Sequence, residues 1–406
     1  MKVALFEYVS GGGFSDKNLP SSILSEGYGM LSSALRDFRE AGHQTGTLLD
    51  SRLDPFQPPL RANEIHLVNS QKKLKTEFLN LLRHADAHLL IAPETGGILS
   101  DFLRLGEELS IDSLNCSIDS INPICNKLKL YERLKENGLP VPKTDEVTIE
   151  EDVEKSQKII ENIGFPVIIK PKEGIGCQGL SIVKKFPQLP IAISKVKKEA
   201  KTNTYLIQEF VKGINASVSL ITNGKKAIPL TLNLQTIDLN TPDKASSYIG
   251  GMVPLDHELK DEAFHIAKKA VELFKGLRGY VGVDLILSNS GPLLIEINPR
   301  LTVSYVGLRR VSNLNLANAM VKACLYDKLP EGFDYSGYSI FSKEVLPRLG
   351  EDLLKRTYSM KEVVTPPFPF NDDNYALLAT KGKDIEEAKT LFKKAKHKLR
   401  SIVELG

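Results

Sequence analysis

Residues 279–300 read GYVGVDLILSNSGPLLIEINPR. Two apolar runs, GYVGVDLIL (279–287) and GPLLIEINP (291–299), flank a short Ser/Asn turn, which is the signature of a β-hairpin. Asp284 interrupts the first run, and Glu296 and Asn298 interrupt the second. Side chains alternate along a strand, so Glu296 and Asn298 share one face and Asp284 on the neighbouring strand is able to meet them. A solvated strand face is the ordinary reading of such acids. A carboxylate inside an apolar run, however, costs free energy unless a cation or hydrogen bonds compensate it. Three oxygen-bearing side chains on adjacent strands suit octahedral Mg²⁺ held jointly with phosphates, so a metal site is expected here.

Working towards the N-terminus, Lys170 closes the apolar strand FPVIIKP (165–171). The glycine-rich EGIGCQG (173–179) and the strand LSIV (180–183) follow directly. A Walker- or Rossmann-type phosphate loop needs a helix after its glycines. Here a strand follows, so the segment reads as a hairpin flap. Gly174, Gly176 and Gly179 would let backbone N–H groups close over phosphate, or would serve only as a flexible turn. Lys127 opens the helical stretch 127–136 and by itself reads as a surface residue. IQEFVKG (207–213) carries Gln208, Glu209, Phe210 and Val211 from a strand into a glycine turn. Such a segment presents backbone groups to a purine edge, and an ordinary amphipathic strand is an equal reading of the same residues. Cys177, inside the flap, reads as a small loop residue rather than a reactive thiol.

The first part of the chain alternates strands and helices: KVALFEYV (2–9), a helix from near Ser25, AGHQTGTLLD (41–50), IHLVN (65–69), Leu74 to His84 and AHLLIAP (87–93). That order implies a parallel sheet covered on both faces. Further helices are expected over Glu150 to Ile163 and Leu259 to Phe274. NYALLAT (374–380) is a strand, and Asp384 with Glu387 forms a capping box opening a helix over 385–399. The fold class is α/β (α+β in its later parts) and multi-domain. The expected division is 1–120, 121–212, 213–330 and a small α/β extension, 331–406.

The composition narrows the function classes. Of 406 residues, 42% are hydrophobic and 25% charged, which excludes global disorder. Lys plus Arg is 53 against 50 Asp plus Glu. That near-balance gives no reason to expect nucleic acid or a membrane surface as partner. Four cysteines without a C-x-x-C pair argue against a disulfide framework or a zinc ribbon. No run reaches the ~18 apolar residues of a membrane span. A cytoplasmic protein is the expectation.

The order Lys127, then Lys170 with a glycine-rich hairpin, then QEFV, then D…E-x-N-P-R resembles the ATP-grasp superfamily of carboxylate–amine ligases over roughly residues 1–325. The resemblance implies an ATP-grasp fold preceded by a Rossmann-like pre-grasp domain. It implies ATP and two Mg²⁺ (or Mn²⁺) ions as cofactors, and small-molecule carboxylate and amine substrates. Carried over, Lys127 and Lys170 lie on the ATP phosphates, 173–179 is the phosphate lid, and Gln208 to Val211 is the adenine hinge. Asp284, Glu296 and Asn298 hold the metals, and Arg300 stabilises the acyl phosphate. Asn215 stands where many members carry an acid for the ribose, and its amide can bond a hydroxyl only without charge assistance. FEYVSGGG near the N-terminus resembles the members that join L-glutamate to tyramine in methanofuran biosynthesis, with Arg309 and Arg310 as further candidates for substrate carboxylate. Another amino acid/amine pair, a bicarbonate-activating carboxylase-type subunit and a nucleotide-binding module without turnover are the rival readings. The stretch 331–406 is expected to cover the active-site mouth or to form a homodimer contact.

Overall fold

The computed structural model describes residues 1–149, 153–174, 176–200 and 202–404. Parallel strands, the inner ones buried on both faces, build the first unit. These are β1 (Lys2–Glu7), β2 (Gln44–Asp50), β3 (Glu64–Val68), β4 (Ala87–Ile91) and the short β5 (Asp112–Ser113), in spatial order β3-β2-β1-β4-β5. Helices α1 (Ser21–Glu40), α2 (Gln71–Leu82) and α3 (Ile98–Glu108) cover the sheet. α1 starts before the expected Ser25, directly after Pro20, and the strand expected over 2–9 ends at Glu7. Val9 to Gly13 then turn helically, because Glu7 accepts hydrogen bonds from the Val9 and Ser10 backbone N–H groups and pulls the chain round.

Helices α4 (Ile118–Cys125) and α5 (Lys127–Glu136) lead into a four-stranded antiparallel sheet. It consists of β6 (Thr144–Thr148), β7 (Val167–Pro171), β8 (Ser181–Val183) and β9 (Thr204–Glu209), ordered β6-β9-β7-β8, with α6 (Val153–Ile163) and α7 (Leu189–Ala200) between strands. The first positions of the helix expected over 150–163 lie outside the described residues. Val147, Ile160, Val167, Ile169, Val196 and Ile207 give this small unit its own core. β7 and β8 pair antiparallel, so the glycine-rich segment between them is a flap.

The third layer is one eight-stranded sheet. It begins with β10 (Gly213–Asn223), β11 (Ala227–Asp238), β12 (Ser247–Val253), helix α8 (Lys260–Glu272), β13 (Arg278–Ser288) and β14 (Gly291–Asn298). Helices α9 (Ser304–Val311) and α10 (Leu316–Tyr326) follow, and then β15 (Tyr338–Leu346), α11 (Glu351–Tyr358), β16 (Val363–Thr365), β17 (Asn374–Gly382) and α12 (Ile385–Glu404). The order is β14-β13-β10-β11-β12-β15-β17-β16. The strands of the C-terminal stretch therefore continue the sheet that carries Asp284 and Glu296, and α1 of the first unit packs on β16 and β17. Asp384 caps α12 as expected, accepting from the Glu387 N–H at 2.8 Å, while the Glu387 carboxylate returns to the Lys383 N–H. Among the described residues no helix is long and apolar enough to cross a membrane.

Candidate functional site

β13 and β14 pair so that Asp284 lies directly opposite Glu296, and Gly282 opposite Asn298. A register shift after Asp284 bends the hairpin at this point. Asp284 accepts hydrogen bonds from Asn298 Nδ2 at 3.1 Å and from Gln235 Nε2 of β11 at 2.9 Å. Burial, with the charge of Glu296 adding to it, pushes the Asp284 carboxyl up to about 7, against those two hydrogen bonds. Burial also acts to raise Glu296, but Lys127, Lys170 and Arg300 outweigh it and hold that carboxyl below its ordinary value.

Two facing carboxylates and an amide oxygen form the donor set of a hard divalent cation. Their partly offset repulsion is what such an ion relieves. Among the described residues no three His, Cys, Asp or Glu side chains gather as a self-sufficient metal cage. Two acids and Asn298 would therefore need further oxygens from a ligand to hold such an ion.

Two of the cations come from the second unit, and a third follows β14 itself. Lys127, at the first position of α5, places Nζ 3.0 Å from Glu296 Oε1. Lys170, at the end of β7, donates to Tyr131 Oη at 2.7 Å and to Gln208 Oε1 at 2.9 Å. Burial, with Lys127 adding, brings the Lys170 ammonium down to about 7. Tyr131 lies one helical turn after Lys127 and donates to the Ile295 carbonyl at 2.8 Å, tying α5 to β14. Arg300 follows β14 and pairs through Nε with Glu94 Oε1 at 2.8 Å.

These groups surround one cavity of about 680 Å³ between the layers. Lys127, Lys170, Gly174, Gly176, Gln208, Glu209, Phe210, Val211, Asn215, Asp284, Glu296, Asn298 and Arg300 all line it. Gly179 does not. Its φ of +69° and close approach to Pro171 and Val196 make it the turn that returns the flap to β8, and its N–H is bonded to Glu199. Gln208 lines the wall, but its amide is committed to Lys170 and, at 2.8 Å, to Thr144 Oγ1. β9 ends at Glu209, so Phe210 and Val211 sit in the irregular segment that leads to Gly213. Cys177 also lines the cavity, and burial pushes its thiol up to about 11, so it is no thiolate. Arg309 and Arg310 are not on the wall. Arg309 is spent on Asp37 of α1, with Nε 2.8 Å from Oδ1.

Sequence reading missed Gln235, Tyr131, Glu94, Glu26 and Tyr248. Tyr131 had a usable signal, its i,i+4 spacing from Lys127 on one helix face. The others arrive from elements distant in sequence. The far end of the cavity is formed by the first unit, through Glu7, Val9, Ile23, Glu26, Met30 and the Ile91–Glu94 segment.

The comparisons with known proteins bear on this arrangement. Residues 124–304 match the family model described as an ATP-grasp domain, and residues 43–121 match the pre ATP-grasp 3 domain. A tyramine–L-glutamate ligase of Methanocaldococcus jannaschii is 34% identical over 322 residues, which are 79% of this chain and 88% of that protein. The corresponding ligase of Methanocaldococcus fervens is 31% identical over 79% of this chain and 93% of its own length. The crystal structure of an ATP-grasp superfamily protein from Archaeoglobus fulgidus shares the fold, with a TM-score of 0.63 at 23% identity over 94% of this chain and 99% of that one. Proteins of this fold family use ATP with divalent metal ions. The chain belongs to the ATP-grasp family and is an ATP-dependent carbon–nitrogen ligase.

Proposed function

We propose that this ligase joins the γ-carboxylate of L-glutamate to the amine of tyramine, giving γ-glutamyltyramine, ADP and phosphate. One observation carries the reading. Two lysines, two facing acids and an arginine converge on a single cavity whose far end is built by the first unit, in a chain 34% identical to a ligase of that name.

In this reading Lys127 and Lys170 hold the ATP phosphates, and the 208–211 segment lies along the adenine with Asn215 near the ribose. Asp284, Glu296 and Asn298 would hold two Mg²⁺ or Mn²⁺ ions. When bound, the ions offset charge at the β/γ bridge as it breaks. The substrate carboxylate takes the γ-phosphoryl group and ADP leaves. Arg300 steadies the acyl phosphate by charge-assisted hydrogen bonds. The amine nitrogen then attacks the acyl carbon, the C–O bond to phosphate breaks, and a proton leaves the nitrogen. The 173–179 flap closes over the intermediate and keeps out water that would hydrolyse it. The need for ATP suits a cytoplasmic setting.

The test is ADP release and product mass with ATP, Mg²⁺, L-glutamate and a panel of amines. The reading expects tyramine to raise ADP release and to yield the amide. Release unchanged by tyramine and dopamine but raised by another amine assigns a different substrate pair. Glu296→Ala is expected to abolish turnover while the fold survives, and full activity in that variant removes the metal assignment.

A further inference from the structure

Glu26 and Lys343 form an ion pair that neither the metal site nor the phosphate lysines require. Lys343 Nζ lies 2.5 Å from Glu26 Oε1 and 2.8 Å from Ser22 Oγ. Its aliphatic stem stands on β15, and its ammonium lies 5.9 Å from the Tyr248 ring centre and 5.8 Å from that of Tyr375. The pair thus joins the C-terminal stretch to α1. A buried ion pair is a poor means of adding stability, since desolvation offsets most of its attraction. Only the lysine is fully enclosed, at 5% side-chain exposure. Glu26 keeps 20% and lines the cavity. Its Oε2 carries no hydrogen bond among the described residues, and Lys343 has used only two of its three N–H donors.

Glu26 lies on the wall of the reaction cavity, and Lys343, off the wall itself, is held against Glu26 by the ion pair. Glu26 acts electrostatically on Arg300, and both Glu26 and Lys343 act on Cys177 of the flap. Cys177 of the flap and Arg300 line the same cavity as Glu26. Tyr248 also lines the cavity, and burial raises its hydroxyl pKa, with the charges of Glu26 and Asp284 adding to it. Gly27 makes the placement possible. A Cβ there would fall 2.4 Å from the Glu7 carboxyl, so α1 seats directly on Glu7 and brings the preceding residue, Glu26, to the wall.

A carboxylate and an ammonium side by side are complementary to a ligand end that carries both signs. A plain amine would meet the carboxylate but be repelled by the lysine, and a plain carboxylate would meet the reverse. We infer that Glu26 and Lys343 recognise the zwitterionic α-carbon end of the amino-acid substrate. Glu26 Oε2 accepts from the α-ammonium, and Lys343 donates to the α-carboxylate. The side-chain carboxyl then points to Arg300 and the phosphates. The inference rests on the ligase reading for the identity of the reacting end, and it gives the C-terminal stretch a part in substrate choice.

The test is equilibrium binding by calorimetry on the full chain with Mg²⁺ and a non-hydrolysable ATP analogue, which needs no turnover. Three ligands are compared: L-glutamate, glutarate, which lacks the α-amine, and γ-aminobutyrate, which lacks the α-carboxylate. Wild type is expected to prefer glutamate over each by roughly tenfold to a hundredfold. Glu26→Gln is expected to collapse the preference over glutarate, and Lys343→Gln the preference over γ-aminobutyrate. Glu26→Asp is expected to restore part of the first, and unchanged binding of the ATP analogue checks the fold. Wild type without these preferences, or variants that keep them, overturns the inference. So does a Glu26→Gln variant that weakens tyramine and leaves the glutamate/glutarate ratio intact, for Glu26 then serves the amine. Glutamate preferred as stated but never converted to product keeps this inference and removes the proposed substrate pair instead.

Discussion

Lys127 Nζ and Glu296 Oε1 stand 3.0 Å apart, so a lysine assigned to phosphate and an acid assigned to metal are bound directly to each other. The first turn of α5 and the C-terminal end of β14 are joined by that contact, which Tyr131 reinforces through its bond to the Ile295 carbonyl.

Replacing Lys127 with Met is therefore expected to act in opposite directions on two ligands. The KM for ATP rises by tenfold or more, since a charge-assisted contact of about 1.5–3 kcal/mol is lost. Mn²⁺ binding to the nucleotide-free protein tightens, because Glu296 is released and its attraction for a cation is no longer offset. Paramagnetic resonance titration of Mn²⁺ reads the second effect. Weaker Mn²⁺ binding in the variant would show that Lys127 supports the metal site instead of competing with it.

Lys170 gives a pH signature. Burial, with Lys127 adding, holds its ammonium at about 7, so it is charged below that pH and neutral above it. ATP phosphates favour the charged form and raise its pKa on binding. At pH 8 ATP binding is expected to take up close to one proton at this site, and at pH 6 almost none. Calorimetry in buffers of different ionisation enthalpy counts those protons. Lys170→Arg stays charged throughout and is expected to abolish the difference.

His88 sits in the core of the first sheet with neither ring nitrogen hydrogen-bonded among the described residues, and burial alone brings it from 6.5 to about 4. The unfolded chain takes up a proton below about 6.5 that the folded chain refuses until about 4. Stability contributed by the neutral ring is present above that window and is lost as pH falls through it, by about 3 kcal/mol in full. Urea unfolding at pH 7 and pH 4.5 measures the loss. His88→Leu is expected to shrink it, and an equal loss in the variant assigns the acid sensitivity elsewhere.

Gly27→Ala tests the seating of α1. Alanine in a helix interior ordinarily gains about 1 kcal/mol over glycine. Here its Cβ would lie 2.4 Å from the Glu7 carboxyl, a buried group already bonded to Ser10 and Val9. The expected outcome is a net loss of roughly 1–3 kcal/mol, as overpacking gives. A weaker affinity for the amino acid should accompany it as Glu26 shifts. A raised Tm in this variant would show that the helix is not pinned there.

The hairpin around Asp284 and Glu296 was legible because polar residues in apolar strands are costly and therefore informative. The flap was legible because a strand, not a helix, follows its glycines. β11 and β12 were not, since TLNLQTID mixes polar and apolar residues and SYIGGMV carries two glycines that blur the alternation. With β11 unseen, Gln235 could not be placed on Asp284. Gly179 and Arg309 show the reverse limit: the first belonged to the glycine-rich flap and the second was a candidate for substrate carboxylate, and packing gave them other work.

Local pattern thus determined the strand-and-helix order, the lysines, the acids and the family. Only the tertiary structure decided which of them meet. The pairing of Asp284 with Glu296 comes from strand register, and that of Lys127 with Glu296 from the docking of α5 on β14. The pairing of Glu26 with Lys343 joins α1 to a strand near the other end of the chain. Contacts between residues hundreds of positions apart depend on how whole layers pack, and no short-range periodicity records that.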